Sequence, residues 1–158
     1  MSRGNPHVLF VCWGNICRSP MAEMIARDKA AHEGLRAATF TSGGVSAEES
    51  GNPMDPRAVD TLKRAGYPMA PHKAHKVTAE EVRDADLVIG MEMIHLDRLR
   101  QLAPGVQHLY LMSNFDPNAV PGAEIEDPWY GDADDFQTTL HQLEAGMPEL
   151  MRRVRELL

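Results

Sequence analysis

Cysteine is scarce in this chain, with two in 158 residues. Two thiols cannot build the disulfide scaffold of a small secreted domain, and a chain of this length buries enough core not to need one. Long apolar runs are absent too. The longest, Val8 to Trp13, has six residues, against the ~20 that a membrane-spanning helix requires. The polar start Met1-Ser2-Arg3-Gly4-Asn5-Pro6-His7 lacks the apolar core of a secretory signal. Positive charge is in deficit: 16 Lys and Arg against 23 Asp and Glu leave a formal net charge of −7. This argues against broad binding to a nucleic-acid backbone, so an anion would need a local, preorganised site. A content of 43% hydrophobic and 25% charged residues, without repeats, excludes disorder and low complexity as the default. One soluble cytoplasmic domain over residues 1–158 is expected, although export without an N-terminal signal would leave no trace here.

What is present alternates between extended apolar runs and helical patterns. His7-Val8-Leu9-Phe10-Val11-Cys12 reads as a strand buried on both faces. Ser19-Pro20 then suits the cap and first position of a helix that carries Met21, Met24 and Ile25 on one face and ends near Gly34. Residues 37–42 form a second strand halted by Gly43-Gly44, and residues 47–54 an irregular loop. Asp55-Pro56 opens a helix with Ala58, Leu62 and Ala65 inward, and Thr78-Ala79-Glu80-Glu81 is a capping box. A third strand spans residues 86–91, followed by a helix with Ile94, Leu99 and Leu102, and a fourth strand spans 106–112. The last helix runs from about Asp132 to Leu158, with Pro148 expected to kink or break it. Such alternation implies crossover connections and a parallel sheet covered on both faces, whose ligands bind beyond the carboxyl ends of the strands.

The loop Cys12-Trp13-Gly14-Asn15-Ile16-Cys17-Arg18-Ser19 sits at such an end, between a buried strand and a capped helix. Its amides and the helix N-terminus can cradle a tetrahedral dianion, and Gly14 and Asn15 tolerate the left-handed angles of a wrapped loop. The same amides, together with the Ser19 hydroxyl, favour the thiolate of Cys12, and Arg18 offers a planar fork to two phosphoryl oxygens. Cys-x5-Arg alone is a weak signal. A buried strand before it and a capped helix after it make it strong, against the alternative of Cys12 as an inert buried thiol. The nucleotide-binding patterns G-x-x-x-x-G-K-[ST] and G-x-G-x-x-G are absent.

The stretch Val11 to Glu23 resembles the signature of the low-molecular-weight protein tyrosine phosphatases. The resemblance extends to Asp55-Pro56-Arg57-Ala58, His72-Lys73-Ala74, Val77-Thr78 and Asp127-Pro128-Trp129-Tyr130-Gly131 in family order. It implies an α/β fold of three layers, a four-stranded parallel sheet of flavodoxin-like winding, and hydrolysis through a phosphocysteine without metal or other cofactor. Cys12 would be the nucleophile, residues 13–18 and Arg18 above all the phosphate-binding loop.

Proton delivery to the leaving group needs an acid, and half of the residues from Glu124 to Asp135 are acidic. Asp132, Asp134 and Asp135 read best as caps of the last helix. Asp127 differs in being followed by proline and two aromatics, and the resemblance makes it the general acid and then the base. Trp129 and Tyr130 can be packing aromatics or the walls of a slot for an aryl ring, and the resemblance adds Trp13 at the rim. Three aromatics around one mouth favour phosphotyrosine over the shorter phosphoserine.

Cys17 has two compatible readings: a small buried residue at the helix start, and, by resemblance, a redox partner that bridges to Cys12. Zinc is not expected, since no second cysteine or histidine pair has ligand spacing. Asn15, Ser42 and His72, with Ser19, match family positions that support the loop from beneath. His75, His95 and His108 read as surface or packing residues, and Lys73 and Lys76 as a solvated face. Glu92 stands where the family usually has aspartate, and its extra methylene is expected to weaken a loop contact. The loop 46–51 lacks the aromatic that many relatives place near the substrate. Its Glu48 and Glu49 instead suggest substrates with basic or neutral residues beside the phosphotyrosine. The rival reading, a thiol-dependent arsenate reductase of the same fold, lacks the downstream cysteines that chemistry requires. The expected partner is a tyrosine-phosphorylated protein, with no nucleic acid or membrane; a monomer is expected, a weak dimer being the alternative.

Overall fold

A computed structural model describes residues 5–158 of the protein, so the polar start at Met1–Gly4 lies outside the described residues. Four strands, β1 (His7–Cys12), β2 (Thr39–Gly44), β3 (Leu87–Gly90) and β4 (Leu109–Leu111), form one parallel sheet in the order β2-β1-β3-β4. Around it run α1 (Arg18–His32), α2 (Pro56–Arg64), α3 (Ala79–Asp84), α4 (Met93–Leu102) and α5 (Ala133–Leu157). The three-layer α/β architecture expected from the sequence is present.

The period-two alternation of a strand sorts β1 between two cores. Val8, Phe10 and Cys12 face a cluster built with Met21, Ile25, Leu62, Phe136, Leu143 and Leu150 from α1, α2 and α5. Leu9 and Val11 face a second cluster with Val82, Leu96, Leu99 and Ala103 from the α3–α4 side. Both sides of β1 are therefore dry. The direction of winding reverses between β1 and β3, and the loops leaving those two strands open the crevice where such sheets bind ligands.

Several local expectations are corrected. The helix α1 begins at Arg18 with Cys17 in the cap position and no side-chain cap bond, so Ser19 lies in the first turn and its hydroxyl is free for other work. Gly43 and Gly44 do not halt β2 but belong to it. A Cβ on Gly44 would sit 2.7 Å from the Trp13 carbonyl oxygen, and one on Gly43 2.3 Å from Val77 Cγ1. Glycine is needed at 44 because the loop after β1 lies directly against the strand, and at 43 because the Val77 side chain does. Ala65 and Ile94 are exposed, and Thr61 and Leu96 take the inward positions instead. The fourth strand is shorter than expected, passing at Met112 into a 3-10 turn (Met112–Phe115). Finally, α5 runs unbroken through Pro148. That residue lies on the exposed face, where water can satisfy the freed carbonyl, while Leu143, Met147, Leu150 and Met151 hold the opposite face in the core.

Thr78 caps α3 with the expected box: its hydroxyl accepts the Glu81 amide at 3.1 Å, and Glu81 accepts the Thr78 amide at 3.0 Å. Asp132 caps α5 by accepting the Asp134 and Asp135 amides, which bears out the capping role read for that group of aspartates. Among the described residues no helix is long and apolar enough to cross a membrane.

Candidate active site

At the carboxyl end of β1 the chain wraps from Cys12 to Arg18 around a cavity of about 170 Å³. Cys12, Trp13, Gly14, Ile16, Cys17 and Arg18 line its base, and Asp127, Trp129, Tyr130, Glu48 and Glu49 its mouth. Asn15 has φ of 63°, the one non-glycine residue with positive φ among the described residues. Gly14 keeps a negative φ, contrary to expectation. Its missing side chain matters for space, since a Cβ there would approach Glu49 Cγ to 3.2 Å.

A strained backbone persists only where its surroundings over-determine it, and Asn15 is held at both side-chain polar atoms and at its carbonyl. Its Nδ2 donates to Ser19 Oγ at 2.9 Å and to Ser42 Oγ at 3.0 Å. Its Oδ1 accepts the His75 amide at 3.1 Å, and its carbonyl accepts from His72 Nε2 at 2.7 Å. The Ser42 hydroxyl donates to buried Glu23 at 2.6 Å, and Glu23 pairs with Arg27 at 2.5 Å. The sequence reading named Ser42 and His72 as supports, and the structure brings both to Asn15. The His75 amide and Glu23 join them without a signal in the sequence. A backbone donor carries no residue signature, and Glu23 looks like an ordinary helix residue.

Ser19 Oγ lies 3.0 Å from Cys12 Sγ and 3.3 Å from the Gly43 carbonyl oxygen. With Asn15 already donating to it, Ser19 Oγ has one proton of its own, within reach of both the Gly43 carbonyl and the Cys12 sulfur. Both thiols are free and buried. Burial drives the Cys17 thiol well above its ordinary pKa, and the negative charges of Asp55, Cys12 and Asp127 push the same way. Cys17 is therefore held as the neutral thiol, not as a competing nucleophile.

Arg18 is buried and strung between three elements. Its Nη1 donates to Glu92 Oε2 at 2.5 Å and to the Ile125 carbonyl at 2.8 Å, while Nη2 lies 3.5 Å from Asp127 Oδ2. Its Nε has no partner among the described residues. A buried guanidinium N–H at the base of a cavity is costly to leave unmade, and it marks where an anion completes the set. Glu92 was expected to make a weakened loop contact. Instead its longer side chain reaches the arginine directly.

Asp127 caps a 3-10 turn (Pro128–Tyr130): its Oδ1 accepts the Trp129 amide at 3.0 Å, leaving Oδ2 toward Arg18. Trp129 and Tyr130 pack edge to face at 4.9 Å and stay 46% and 87% exposed. They are not core aromatics. They stand at the mouth, as the slot reading requires. Trp13 is half-buried, with the Arg98 guanidinium 5.0 Å over its ring.

His95, read only as a surface or packing residue, is fully buried, and its Nδ1 accepts the amides of Met91 (3.2 Å) and Glu92 (3.0 Å). The proton therefore sits on Nε2, which has no hydrogen-bond partner among the described residues, the nearest carboxylate oxygen, Glu92 Oε2, lying 3.8 Å away. Desolvation, with a smaller push from Arg18, draws the imidazole pKa down to about 3. His95 is neutral, and it holds the turn that carries Glu92. His75 and His108 are peripheral: their imidazoles meet Glu81 and the Val82 carbonyl. No group of three or more metal-ligating side chains converges among the described residues.

The whole chain has relatives built this way. The family described as low molecular weight phosphotyrosine protein phosphatase matches residues 7–157. Low molecular weight protein-tyrosine phosphatase A of Mycobacterium tuberculosis is 39% identical over 154 residues, covering 96% of this chain and 93% of that protein. Among solved structures, YfkJ from Bacillus subtilis superimposes with a TM-score of 0.90 at 30% identity over 98% of each chain. The arginine phosphatase YwlE, also from Bacillus subtilis, superimposes with a TM-score of 0.82 at 27% identity, over 94% of this chain and 95% of its own. With a thiol in a wrapped anion loop, a buried arginine beneath it and near end-to-end similarity in sequence and fold, this chain belongs to the low molecular weight phosphotyrosine protein phosphatase family.

Proposed function

We propose that this protein hydrolyses phosphotyrosine in phosphoproteins through a phosphocysteine on Cys12. The observation that carries this is the shared cavity: a thiol, an arginine with an unpaired buried N–H, a carboxylate and two exposed aromatics line one opening. The phosphate dianion enters the loop, where the amides of residues 13–18 and the Arg18 fork take its oxygens. The Cys12 thiolate attacks phosphorus in line as the phosphorus–oxygen bond to tyrosine breaks. Asp127, protonated, gives its proton to the departing phenolate oxygen. Asp127, now ionised, then takes a proton from water, whose oxygen attacks phosphorus, releases inorganic phosphate and returns Cys12 as thiolate.

Every atom in this sequence comes from side chains, substrate and water, so the balance needs no metal. Ser19 steadies the thiolate, and Asn15, Ser42 and His72 keep the loop wrapped. The aryl ring stands between Trp13, Trp129 and Tyr130, three aromatics around one mouth that favour phosphotyrosine over the shorter phosphoserine. The protein acts as a cytoplasmic monomer. Glu48 and Glu49 at the mouth favour substrates whose phosphotyrosine is flanked by basic or neutral residues, by simple charge complementarity. An arsenate reductase would need further cysteines to pass on a disulfide, and the chain has none after Cys17.

Hydrolysis of an aryl phosphate with EDTA present, in wild type, Cys12→Ser and Asp127→Asn, tests the reading. Wild type should retain activity, Cys12→Ser should lose it, and Asp127→Asn should fall ~10²–10⁴-fold, the usual worth of a general acid. Full activity in Cys12→Ser would end the proposal. Because YwlE is an arginine phosphatase, phosphotyrosine, phosphoserine and phosphoarginine peptides belong in the same assay. Faster turnover of phosphoarginine would reassign the substrate while leaving the nucleophile in place.

A further inference from the structure

Asp55-Pro56-Arg57-Ala58 has no part in the chemistry above, yet it lies between the two loops that perform it. The Asp55 amide donates to the carbonyl of Ile16, inside the phosphate loop, at 2.9 Å. Its buried carboxylate is gripped by Arg57 on both oxygens: Nε to Oδ1 at 3.1 Å and Nη2 to Oδ2 at 2.9 Å. The remaining arm of the guanidinium, Nη1, donates to the Gly131 carbonyl at 3.2 Å, and the planar group lies 4.8 Å over the ring of buried Phe136.

Gly131 closes the 3-10 turn that Asp127 caps, its amide bonding to the Pro128 carbonyl at 2.9 Å. The other end of the acid loop is fastened separately, by the Ile125 amide on the Met91 carbonyl at 3.0 Å and by Arg18 on the Ile125 carbonyl. Asp127, Trp129 and Tyr130 thus stand on a short span held at both ends. Arg57, through Asp55, links its downstream end to the phosphate loop.

We infer that Arg57 is a positioning residue for the reaction, setting the height of Asp127 above the Cys12 loop by tying Gly131 to Asp55 and, through Asp55, to Ile16. This rests on the assignment of Asp127 as general acid. A fork that is flat, doubly hydrogen-bonded and stacked leaves its third donor little freedom, so the Gly131 carbonyl is held at a defined point. Proton transfer to a leaving oxygen is sensitive to such placement, where a shift of about 1 Å can cost ~10²-fold.

The test separates acid placement from phosphate binding and from loss of fold. Single-turnover phosphorylation of the enzyme is followed with aryl phosphates of rising leaving-group pKa, in wild type, Arg57→Gln, Arg57→Lys, Asp127→Asn and the double variant Arg57→Gln/Asp127→Asn. Inhibition by inorganic phosphate and thermal unfolding are read alongside. Arg57→Gln should slow phenyl phosphate ~10-fold and p-nitrophenyl phosphate less than ~3-fold, steepening the leaving-group dependence, with phosphate inhibition within ~2-fold of wild type. Arg57→Lys, which keeps a donor but not the fork, should fall between. In the Asp127→Asn background the Arg57 change should cost nothing more, because the group it positions is gone.

An equal loss across all leaving groups, weakened phosphate binding with an unchanged slope, an additive double variant or no effect would each overturn the inference. If Asp127→Asn itself fails to steepen the dependence, the acid assignment falls instead, and the two failures are distinguished. The Arg57 side chain is 42% exposed, so its replacement should leave a folded protein.

Discussion

Glu92 Oε2 meets Arg18 Nη1 at 2.5 Å, across 74 residues of sequence. The carboxylate comes from the turn after β3 and the guanidinium from the loop after β1, so the pair bridges the crevice where the winding of the sheet reverses. The partner of Arg18 is thereby split between protein and substrate: Glu92 holds one arm, the Ile125 carbonyl steadies it, and Nε is left for the phosphate.

Removing Glu92 should cost stability and function in different proportions. Breaking a fully buried pair costs about 3–5 kcal/mol, and the Glu92 side chain is 29% exposed, so Glu92→Gln should lose about 2 kcal/mol of stability in urea titration. Saturating inorganic phosphate replaces the missing anion and should stabilise this variant more than it stabilises wild type. The same phosphate-induced rise in both proteins would show that Glu92 does not share the arginine with the ligand.

The buried imidazole beneath that turn makes stability depend on pH. A histidine whose folded pKa is about 3, below its unfolded value of ~6.5, binds more protons when unfolded, so its contribution is complete above ~6.5 and is lost as pH falls toward 3. Within that window it accounts for up to about 1.4 kcal/mol per pH unit. Unfolding titrations at pH 7, 6, 5 and 4 should therefore be shallower for His95→Asn than for wild type. Parallel slopes would mean that His95 protonates in the folded protein.

The two thiols should respond to oxidants unequally. Cys17 is kept neutral by burial, so peroxide and iodoacetamide should modify Cys12 first, as peptide mass mapping would show. Cys12 sulfenic acid can then condense with the Cys17 thiol, expelling water and forming a disulfide that dithiothreitol reduces. After peroxide treatment, wild type should regain activity with dithiothreitol and Cys17→Ser much less. Equal recovery would remove the protective role of Cys17.

At the mouth, Glu48 and Glu49 predict a charge preference. Phosphotyrosine peptides with lysine flanks should give higher kcat/KM than those with glutamate flanks. The gap should shrink at high salt as exposed charges are screened. Replacing Glu48 and Glu49 together with lysine should reverse the order, and faster turnover of the acidic peptides by wild type would refute the idea.

Much of the site is legible in the sequence because it is local. Cys12 and Arg18 lie six positions apart between a buried strand and a helix start, and hydrophobic pattern and turn chemistry place both ends of that loop. Asp127 is singled out by its proline and aromatic neighbours, and the fold class by the alternation of strands and helices. In detail, packing overrode local propensity. Ser19 is a good cap residue that lies one step inside the helix, Gly43 and Gly44 are in a strand for want of room, and Pro148 is carried through α5 by the core contacts of its neighbours.

By itself the sequence determined which chemical groups are available and which short segments present them, since propensity, capping and periodicity act over a few residues. Only the tertiary structure decided which distant groups meet: Glu92 with Arg18, the His75 amide with Asn15, Arg57 with Gly131. Those meetings depend on the order β2-β1-β3-β4 and on where each connecting loop returns. A carboxylate or guanidinium carries no mark of its partner in the chain. Its neighbour is chosen when strands pair and helices pack, because only then does burial make an unpaired charge too costly to leave alone.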